Sequence, residues 1–508
     1  MLSTIAGSCP ELKLPRLEVL TIHMDNVDCQ LQLATRFMQP TVTSFEIQIY
    51  NPSTHMALRG GAPRHHMNSP PLANNYELIA QFEHSNDPSP EGAFPDHLLE
   101  QLCPTITDKM PRLTTLQFFV EDVVSYTREP TLVHRMVLGL PALRNLELAH
   151  YQVTARLFGE IAAHPSLNSI TRYRHSTHLG AGRIDTAVQL EVIDPAAIVP
   201  VLGPTSLANV HTLYINIGVD KLLQNLQTWH AQALPNLRYL DIDTEAAVVS
   251  SNDAVVTLFA AIASRFSALD VLIIGPIHFL HDDHPEDVEE SLHVNAQLLT
   301  PLTALKQLSA LTIRSFCYSH VRADEWPALL QSWPRLRHLV LDQEPLNGIA
   351  PGIEMTPGTA PIDTVLDIFA HYCPLLQTLS LHVDGTLTVA DPTLWAPLRM
   401  PLRALQLVLP RTVSWGTTDA SQLAHFLKAV LHTHCGLHVT GEGANPMCFT
   451  LCVGPTRDVG IRECYRLLHD VMNKWLALQR AEGRSFVSGA SSAIRGDLLF
   501  SILPRGGE

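Results

Sequence analysis

A short pattern of apolar and polar positions recurs along this chain. An apolar residue, often followed by Pro, precedes the sequence Leu-x-x-Leu-x-Leu, as in the segment from Leu140 to Leu148. The terminal Leu-x-Leu alternates as a strand with one buried face requires, and the segments between copies have the three- and four-residue spacing of amphipathic helices. The pattern therefore predicts strands and helices in alternation. Five further copies that keep the proline begin at Pro15, Pro111, Pro235, Pro334 and Pro374.

The spacing of the copies indicates a leucine-rich repeat. Neighbouring copies are separated by as few as 24 residues, from Leu143 to Leu167, and by as many as 71, from Val42 to Leu113. Repeats of this type are about 20–29 residues long, so the longer intervals hold insertions or degenerate copies. We expect one such insertion, a loop, at about residues 51–95. The first Leu-type positions of the copies are Leu17, Val42, Leu113, Leu143, Leu167, Val210, Leu237, Leu269, Leu308, Leu336, Leu376 and Leu402.

Stacked repeats share one core, which favours one elongated body over several separate domains. The predicted fold class is α/β, a leucine-rich-repeat solenoid or horseshoe with a parallel sheet on the concave face and helices on the convex face. We assign residues 1–410 to the irregular solenoid. We assign residues 411–508 to a degenerate repeat, a capping helix from Glu463 to Leu478 and a tail.

Composition and charge argue against several classes of partner. The formal net charge of −15 disfavours nucleic acid, whose binding draws on clustered Lys and Arg. The most apolar long stretch, Ala254 to Leu280, is interrupted by Arg265 and Asp270, so we expect no membrane span.

The N-terminal residues and the cysteines bear on the cellular compartment. The first ten residues have neither a basic leader nor a sustained apolar core, which argues against a secretory signal. The nine cysteines form no CxxC pair, and Cys9, Cys103 and Cys373 each precede a proline, where other repeats carry Leu, Met or Trp. We interpret these three as small hydrophobic residues. Together these features favour a cytoplasmic and/or nuclear protein.

Two segments contain the kinds of side chain that bind zinc. His432, His434, Cys435 and His438 span a predicted helix end and a following strand, so we expect a structural helix end, with a metal site as the alternative. The segment from His278 to Asp287 is expected to be a solvated acidic loop, with adventitious binding of a divalent metal as the alternative. No nucleophile elbow or phosphate-binding glycine loop occurs. We predict no resident metal, no cofactor and no enzymatic activity.

The residues that alternate with the strand leucines form the predicted binding surface. Strand alternation directs them away from the core, onto the concave face. Their types are mixed, which suits one specific protein surface better than a repetitive polymer, and Tyr214 and Arg314 are the expected anchors. An ordinary solvated sheet is the alternative. The candidate partner-binding residues are His23, Phe119, Tyr214, Asn216, Asp241, Asp243, Arg314, Asp342 and His382.

The repeat pattern also resembles a known family. The proline-containing pattern, its irregular intervals and the Leu, Cys, Met or Trp before the proline are similar to the divergent F-box/leucine-rich-repeat proteins of mushroom-forming, basidiomycete-type fungi. The resemblance spans roughly Leu14 to Val408. It implies repeats that bind a substrate protein and an N-terminal F-box that docks a Skp1–cullin ubiquitin ligase. About 13 residues precede the first copy, so we expect the F-box itself to be missing.

The predicted function is therefore protein–protein interaction, resembling the substrate-recognition repeats of an F-box subunit. The predicted partners are a protein ligand on the concave face and, through the resemblance, a Skp1–cullin complex, with no nucleic acid and no membrane. The alternative is a stand-alone leucine-rich-repeat scaffold, or a regulator of an enzyme of the inhibitor or GTPase-activator type, with no link to ubiquitin. GTPase stimulation that depends on Arg314 or another arginine of the concave face would favour the regulator.

Overall fold

The structure, a computed structural model, divides into two compact units. Unit 1 comprises Met1–Asn216 and Thr228–Leu237, and unit 2 comprises Ile217–Gln227 and Arg238–Glu508. Within them the structure describes residues 14–24, 31, 34–49, 77–81, 98–120, 130–149, 155–172, 202–244, 248–249, 252–279, 294–315, 321–343, 361–383, 387–389, 397–409, 422–423, 426–427, 429–431, 436–441 and 451–453.

Unit 1 is built on a parallel sheet. Its described strands follow the order β3-β1-β2-β4-β5-β6-β7, and each neighbouring pair in this order is parallel. The strands are β1 (Val19–Met24), β2 (Ser44–Ile49), β3 (Glu77–Gln81), β4 (Thr115–Val120), β5 (Asn145–Leu148), β6 (Ser169–Arg172) and β7 (Thr212–Asn216). The helices are α1 (Leu98–Lys109), α2 (Pro130–Leu138) and α3 (Ala155–Ile161).

Unit 2 repeats the same arrangement. Its strands follow the order β8-β10-β11-β12-β13-β14-β15-β16, β9 pairs with the end of β10, and β16 alone among these described strands runs antiparallel to its neighbour. The strands are β8 (Tyr239–Asp243), β9 (Val248–Val249), β10 (Val271–Phe279), β11 (Ala310–Ser315), β12 (His338–Gln343), β13 (Thr378–His382), β14 (Ala404–Leu409), β15 (Gly436–Gly441) and β16 (Leu451–Val453). The helices are α4 (Val219–Thr228), α5 (Asn252–Arg265), α6 (Ala296–Leu299), a 3-10 turn (Thr300–Ala304), α7 (Trp326–Leu330) and α8 (Ile362–Tyr372).

This order of elements confirms the predicted α/β leucine-rich-repeat solenoid. Strand β2 pairs directly with β4, while β3, from the expected insertion, pairs with the other edge of β1. Beyond residue 410, β15 pairs in parallel with β14, so the sheet of unit 2 continues past the predicted domain boundary. The boundary itself stays a prediction, and the predicted helix from Glu463 to Leu478 lies outside the described residues.

One backbone carbonyl per repeat links that repeat to the next. The Arg337 carbonyl accepts hydrogen bonds from the amides of Gln377 (2.7 Å) and Thr378 (3.0 Å). The Gln377 carbonyl in turn accepts from Arg403 (2.7 Å) and Ala404 (3.0 Å). Because each acceptor directly precedes a strand, the paired bonds fix which residues of neighbouring strands lie side by side. The same doubled acceptor occurs at Glu18, Thr43, Thr114, Arg144, Asn168, Arg238, Asp270 and Ser309.

A tight turn explains the proline-containing part of the pattern. The amide of the first Leu in a copy donates to the carbonyl three residues earlier, as from Leu336 to Trp333 (3.0 Å) and from Leu376 to Cys373 (3.0 Å). That earlier residue is the apolar one before the proline, and its side chain is buried. Proline is tolerated at the next position because the residue there donates no hydrogen bond within the turn, so the N–H group that proline lacks is not needed.

The cysteines that the structure describes behave as buried apolar residues. Cys103 and Cys373 are both buried, and burial raises the pKa of each thiol to about 12. Cys373 occupies the turn position as predicted, whereas Cys103 lies inside α1, and Met110 takes the turn position of that repeat instead. The third cysteine of this group, Cys9, lies outside the described residues.

A substitution at Trp333 tests how strongly a buried turn residue stabilises the contact between neighbouring repeats. Its fully buried indole Nε1–H donates to the Leu302 carbonyl at 3.0 Å. Trp333→Phe should lower the free energy of unfolding by about 0.5–1.5 kcal/mol, because it removes one of the two hydrogen bonds that the Leu302 carbonyl accepts, the other coming from the Leu305 amide. Urea unfolding followed by far-UV circular dichroism measures the change.

Trp326→Phe is the matched control for that substitution. Trp326 is also buried and packs against Phe369, with ring centroids 4.9 Å apart, but no described carbonyl accepts from its indole. It should therefore lose clearly less stability than Trp333→Phe. Equal losses for the two variants would show that the Leu302 hydrogen bond contributes nothing beyond aromatic packing.

Candidate functional site

The face of each sheet that carries the residues alternating with the core leucines is called the outer face below. In unit 2 the strand register aligns these residues in rows. In the first row, the type of residue differs from strand to strand. In the next row, two residues further along each strand, the register places Arg314 beside Asp342. The members of the first row are Asp241, Ile273, Thr312, Val340, Ser380 and Gln406.

Four of the predicted binding residues are buried rather than exposed. Phe119, Tyr214, Asp241 and Asp243 have only 8%, 1%, 4% and 2% of their surfaces exposed. The expectation that alternation alone exposes such side chains is therefore wrong for these positions. Neighbouring strands lie only about 4.8 Å apart, so a side chain within the sheet is flanked on both sides. Whether these residues take part in partner binding stays a prediction.

The other predicted residues are distributed over both units. His23 on β1 and Arg314 on β11 are partly exposed. Asn216, Asp342 and His382 are described by their positions near the ends of β7, β12 and β13. The register brings Arg314 and Asp342 to neighbouring positions, while His23, Phe119, Tyr214 and Asn216 belong to unit 1.

On the outer face of unit 2, Ser380 and Arg314 each have a buried polar atom without a hydrogen-bond partner in the described part of the chain, and of the two only Arg314 is partly exposed. Its Nε atom is buried and has no hydrogen-bond partner within the described part of the chain. A buried donor that lacks an acceptor costs about 1–3 kcal/mol. Arg314 as a whole is partly exposed, so a partner can contact the side chain, and a rotation that brings Nε to an acceptor of that partner would recover this energy.

Gly275 determines how closely strand β10 approaches Arg314. Its φ of +133° is one that side-chain-bearing residues rarely adopt, and a Cβ at this position would lie 2.4 Å from the Arg314 carbonyl oxygen and 2.6 Å from its Cβ. The register between β10 and β11 shifts at the same place, between Ile274 and Ile277. Glycine followed by proline inside an apolar strand is a sequence signal for such an irregularity.

Unit 1 carries a polar group on its outer face whose two glutamates are not among the predicted concave-face residues. Gln48 Nε2 donates to Glu46 Oε1 at 2.5 Å, and Gln117 Nε2 donates to Glu147 Oε2 at 2.9 Å. Glu46 lies in a degenerate copy with Phe45 in place of leucine, which made it hard to find. Glu147 lies in the clearest copy of all, so the same alternation rule could have identified it.

The predicted metal-like segments are only partly described. His278 lies near the end of β10 and His438 lies in β15, while the rest of both segments falls outside the described residues. Within the described ranges, no group of three or more His, Cys, Asp or Glu side chains is placed to hold a metal ion. Over the same ranges, no helix is both long enough and apolar enough to cross a membrane.

Comparisons with known proteins return structural neighbours only. No family model and no curated protein matches the chain. Among solved structures, the leucine-rich repeat-containing protein LegL7 from Legionella pneumophila is similar, with 10% identity over 75% of this chain and 95% of that chain and a TM-score of 0.29. The complex of Rad7 and Elc1 in yeast is similar at 11% identity over 76% of this chain and 82% of that chain, with a TM-score of 0.33.

Gly275→Ala tests the close approach of β10 to Arg314. The added Cβ would meet the Arg314 backbone and demand a strained φ, so we expect the free energy of unfolding to fall by more than about 1 kcal/mol. Chemical denaturation measures this loss. Gly203→Ala is the control, because its Cβ would meet only Ser206 Oγ at an ordinary 3.7 Å. Unchanged stability of Gly275→Ala would refute the described geometry of β10.

Proposed function

We propose that this protein is a protein-interaction repeat module that binds a partner protein with the outer face of unit 2, centred on Arg314. The observation that supports this proposal is that the Arg314 side chain is partly exposed while its Nε has no hydrogen-bond partner within the described part of the chain. Arginine is common among the residues that dominate interface energies, because its planar guanidinium forms several directed hydrogen bonds. Arg314 is partly exposed, whereas five of the six residues in the neighbouring row are buried, so Arg314 is the more accessible contact for a partner.

We further propose that the repeats serve as the substrate-recognition part of a Skp1–cullin ubiquitin ligase. Support for this step comes from the sequence resemblance to F-box/leucine-rich-repeat proteins, carried by the proline-containing pattern from Leu14 to Val408. The substrate would bind the outer face around Arg314, and the ligase would act on the bound protein. A scaffold or enzyme regulator without a ubiquitin link is the competing outcome of the test below.

Affinity capture with the tagged full-length chain tests both levels of the proposal. The wild type should recover a reproducible set of further proteins together with Skp1 and a cullin, which it would have to contact through residues other than a recognisable F-box. Recovery is quantified by mass spectrometry. Arg314→Gln should retain Skp1 but lower recovery of those further proteins at least about tenfold, since loss of a hydrogen-bonded charge at an interface costs about 1.5–3 kcal/mol. Arg238→Gln, an exposed arginine of the same unit, is the control and should behave as the wild type.

Two results would contradict the proposal at different levels. Specific partners without Skp1 or cullin would remove the ubiquitin link and favour a stand-alone scaffold or regulator. Equal recovery of partners by the wild type and Arg314→Gln would show that the outer face around Arg314 is not the binding surface.

A further inference from the structure

An exposed leucine marks the edge of unit 2 at which strands β12, β13 and β14 begin. Leu375 lies in the turn between Cys373 and Leu376 with 44% of its surface exposed. Among the described residues, only Leu138 of unit 1, at 45%, is a comparably exposed large apolar side chain. An exposed leucine alone is ordinary, so its surroundings decide whether it has a role.

Exposed arginines lie on both sides of Leu375. The Arg337 carbonyl accepts from Gln377, and the Gln377 carbonyl accepts from Arg403, so Arg337 and Arg403 flank the repeat that carries Leu375. In the preceding repeat, Arg335 occupies the turn position that Leu375 has in its own repeat. Arg399 lies in the turn that leads to β14. We call Leu375, Arg335, Arg337, Arg399 and Arg403 the edge patch.

The positive charges of the arginines in the edge patch are not balanced by nearby acidic side chains within the described part of the chain. Arg335 Nη1 donates to Gln307 Oε1 at 2.5 Å, which leaves its positive charge uncompensated. Arg337, Arg399 and Arg403 form no ion pair within the described part of the chain. Among the residues that directly precede the strands, the acidic residue nearest to Arg337 is Asp270. One repeat, in which Ser309 holds this position, lies between them. The patch is therefore locally positive in a chain whose net charge is −15.

The pKa of His338 is affected by the positive charges of two of these arginines. Its Nδ1 lies 3.1 Å from Thr378 Oγ1 on the neighbouring strand. Burial, followed by the positive charges of Arg337 and Arg403, lowers the pKa of His338 to about 4. His338 is thus neutral at pH 7 and adds no charge, while both guanidinium groups act on the same small region.

This combination is the usual composition of a protein-binding surface. An apolar side chain gains free energy when it is removed from water, and surrounding arginines are enriched in interfaces. Guanidinium groups pair with carboxylates through short, often bidentate hydrogen bonds. A ligand that satisfies both features carries an apolar residue between acidic ones.

We propose that the edge patch binds an acidic segment of a partner protein, with an apolar residue of that segment against Leu375 and its Asp or Glu side chains on the flanking arginines. The proposal rests on the proposed protein-binding function and adds a second contact surface to it. It does not depend on Arg314, which lies in the second half of β11 rather than at the edge where strands begin. A nucleic-acid ligand is disfavoured because the arginines span only neighbouring turns and do not continue as a stripe.

Fluorescence anisotropy with the full-length chain tests the edge patch directly. The probe is a short fluorescein-labelled peptide in which one Leu is flanked on both sides by Asp and Glu. The wild type should bind it, and binding should weaken as salt is raised. Arg337→Glu combined with Arg403→Glu should raise the Kd at least about tenfold, and Leu375→Asp should raise it by a similar factor.

Arg238→Glu is the matched control for charge reversal. Arg238 is exposed, belongs to the same unit and occupies the same position before strand β8 that Arg337 occupies before β12. Its reversal should change the Kd by no more than about twofold, less than 1 kcal/mol. Thermal unfolding of every variant verifies folding, which these exposed side chains are expected to leave intact.

Several outcomes would overturn the edge-patch proposal. These are no binding by the wild type, equal binding by the double variant, or an equal loss in Arg238→Glu. Stronger binding of a single-stranded oligonucleotide, with the same dependence on Arg337 and Arg403, would show a phosphate-binding surface instead. Arg314→Gln should leave peptide binding unchanged, so a failure at the edge patch and a failure of the outer face give distinguishable results.

Discussion

The fold depends on one backbone carbonyl per repeat, the one that directly precedes each strand and accepts two amides from the following repeat. These bonds join residues that are far apart in the sequence, from 24 positions between Asn168 and Arg144 to 72 positions between Thr115 and Thr43. Because they set the register at the start of each strand, they also decide which side chains stand side by side on the outer face. The alignment of Arg314 with Asp342, and of the edge patch across its turns, follows from this register.

The turn before each strand tolerates different residues provided that the backbone bond is kept. Leucine, methionine, tryptophan and cysteine all occupy the buried position before the proline. His164 is a polar exception, and its Nε2 lies 3.2 Å from the Leu140 carbonyl of the preceding repeat. Burial lowers the pKa of His164 although backbone hydrogen bonds oppose the shift, so the neutral ring is favoured in the core. A polar side chain is tolerated there because it has a partner.

The sequence predicted the repeated architecture well because the pattern records two strong constraints. Leucines must alternate to fill the core, and the residue before the proline must be buried to close the turn. The exposure of individual outer-face residues was predicted poorly, as Tyr214 and Asp243 show, because burial there depends on neighbouring strands and not on alternation alone. The approach of Gly275 to Arg314 and the exposure of Leu375 depend on contacts between repeats, which no single copy of the pattern contains.

Hydrogen–deuterium exchange at residue resolution measures the repeat-to-repeat bonds most directly. We expect slow exchange, as a group, at the amides that donate to the doubled acceptors, which are those of Gln377, Thr378, Arg403 and Ala404. The amides of Arg335 and Leu375, which have no described acceptor in their turns, should exchange much faster. Equally fast exchange at both sets of amides would contradict the claim that these carbonyls hold the repeats in register.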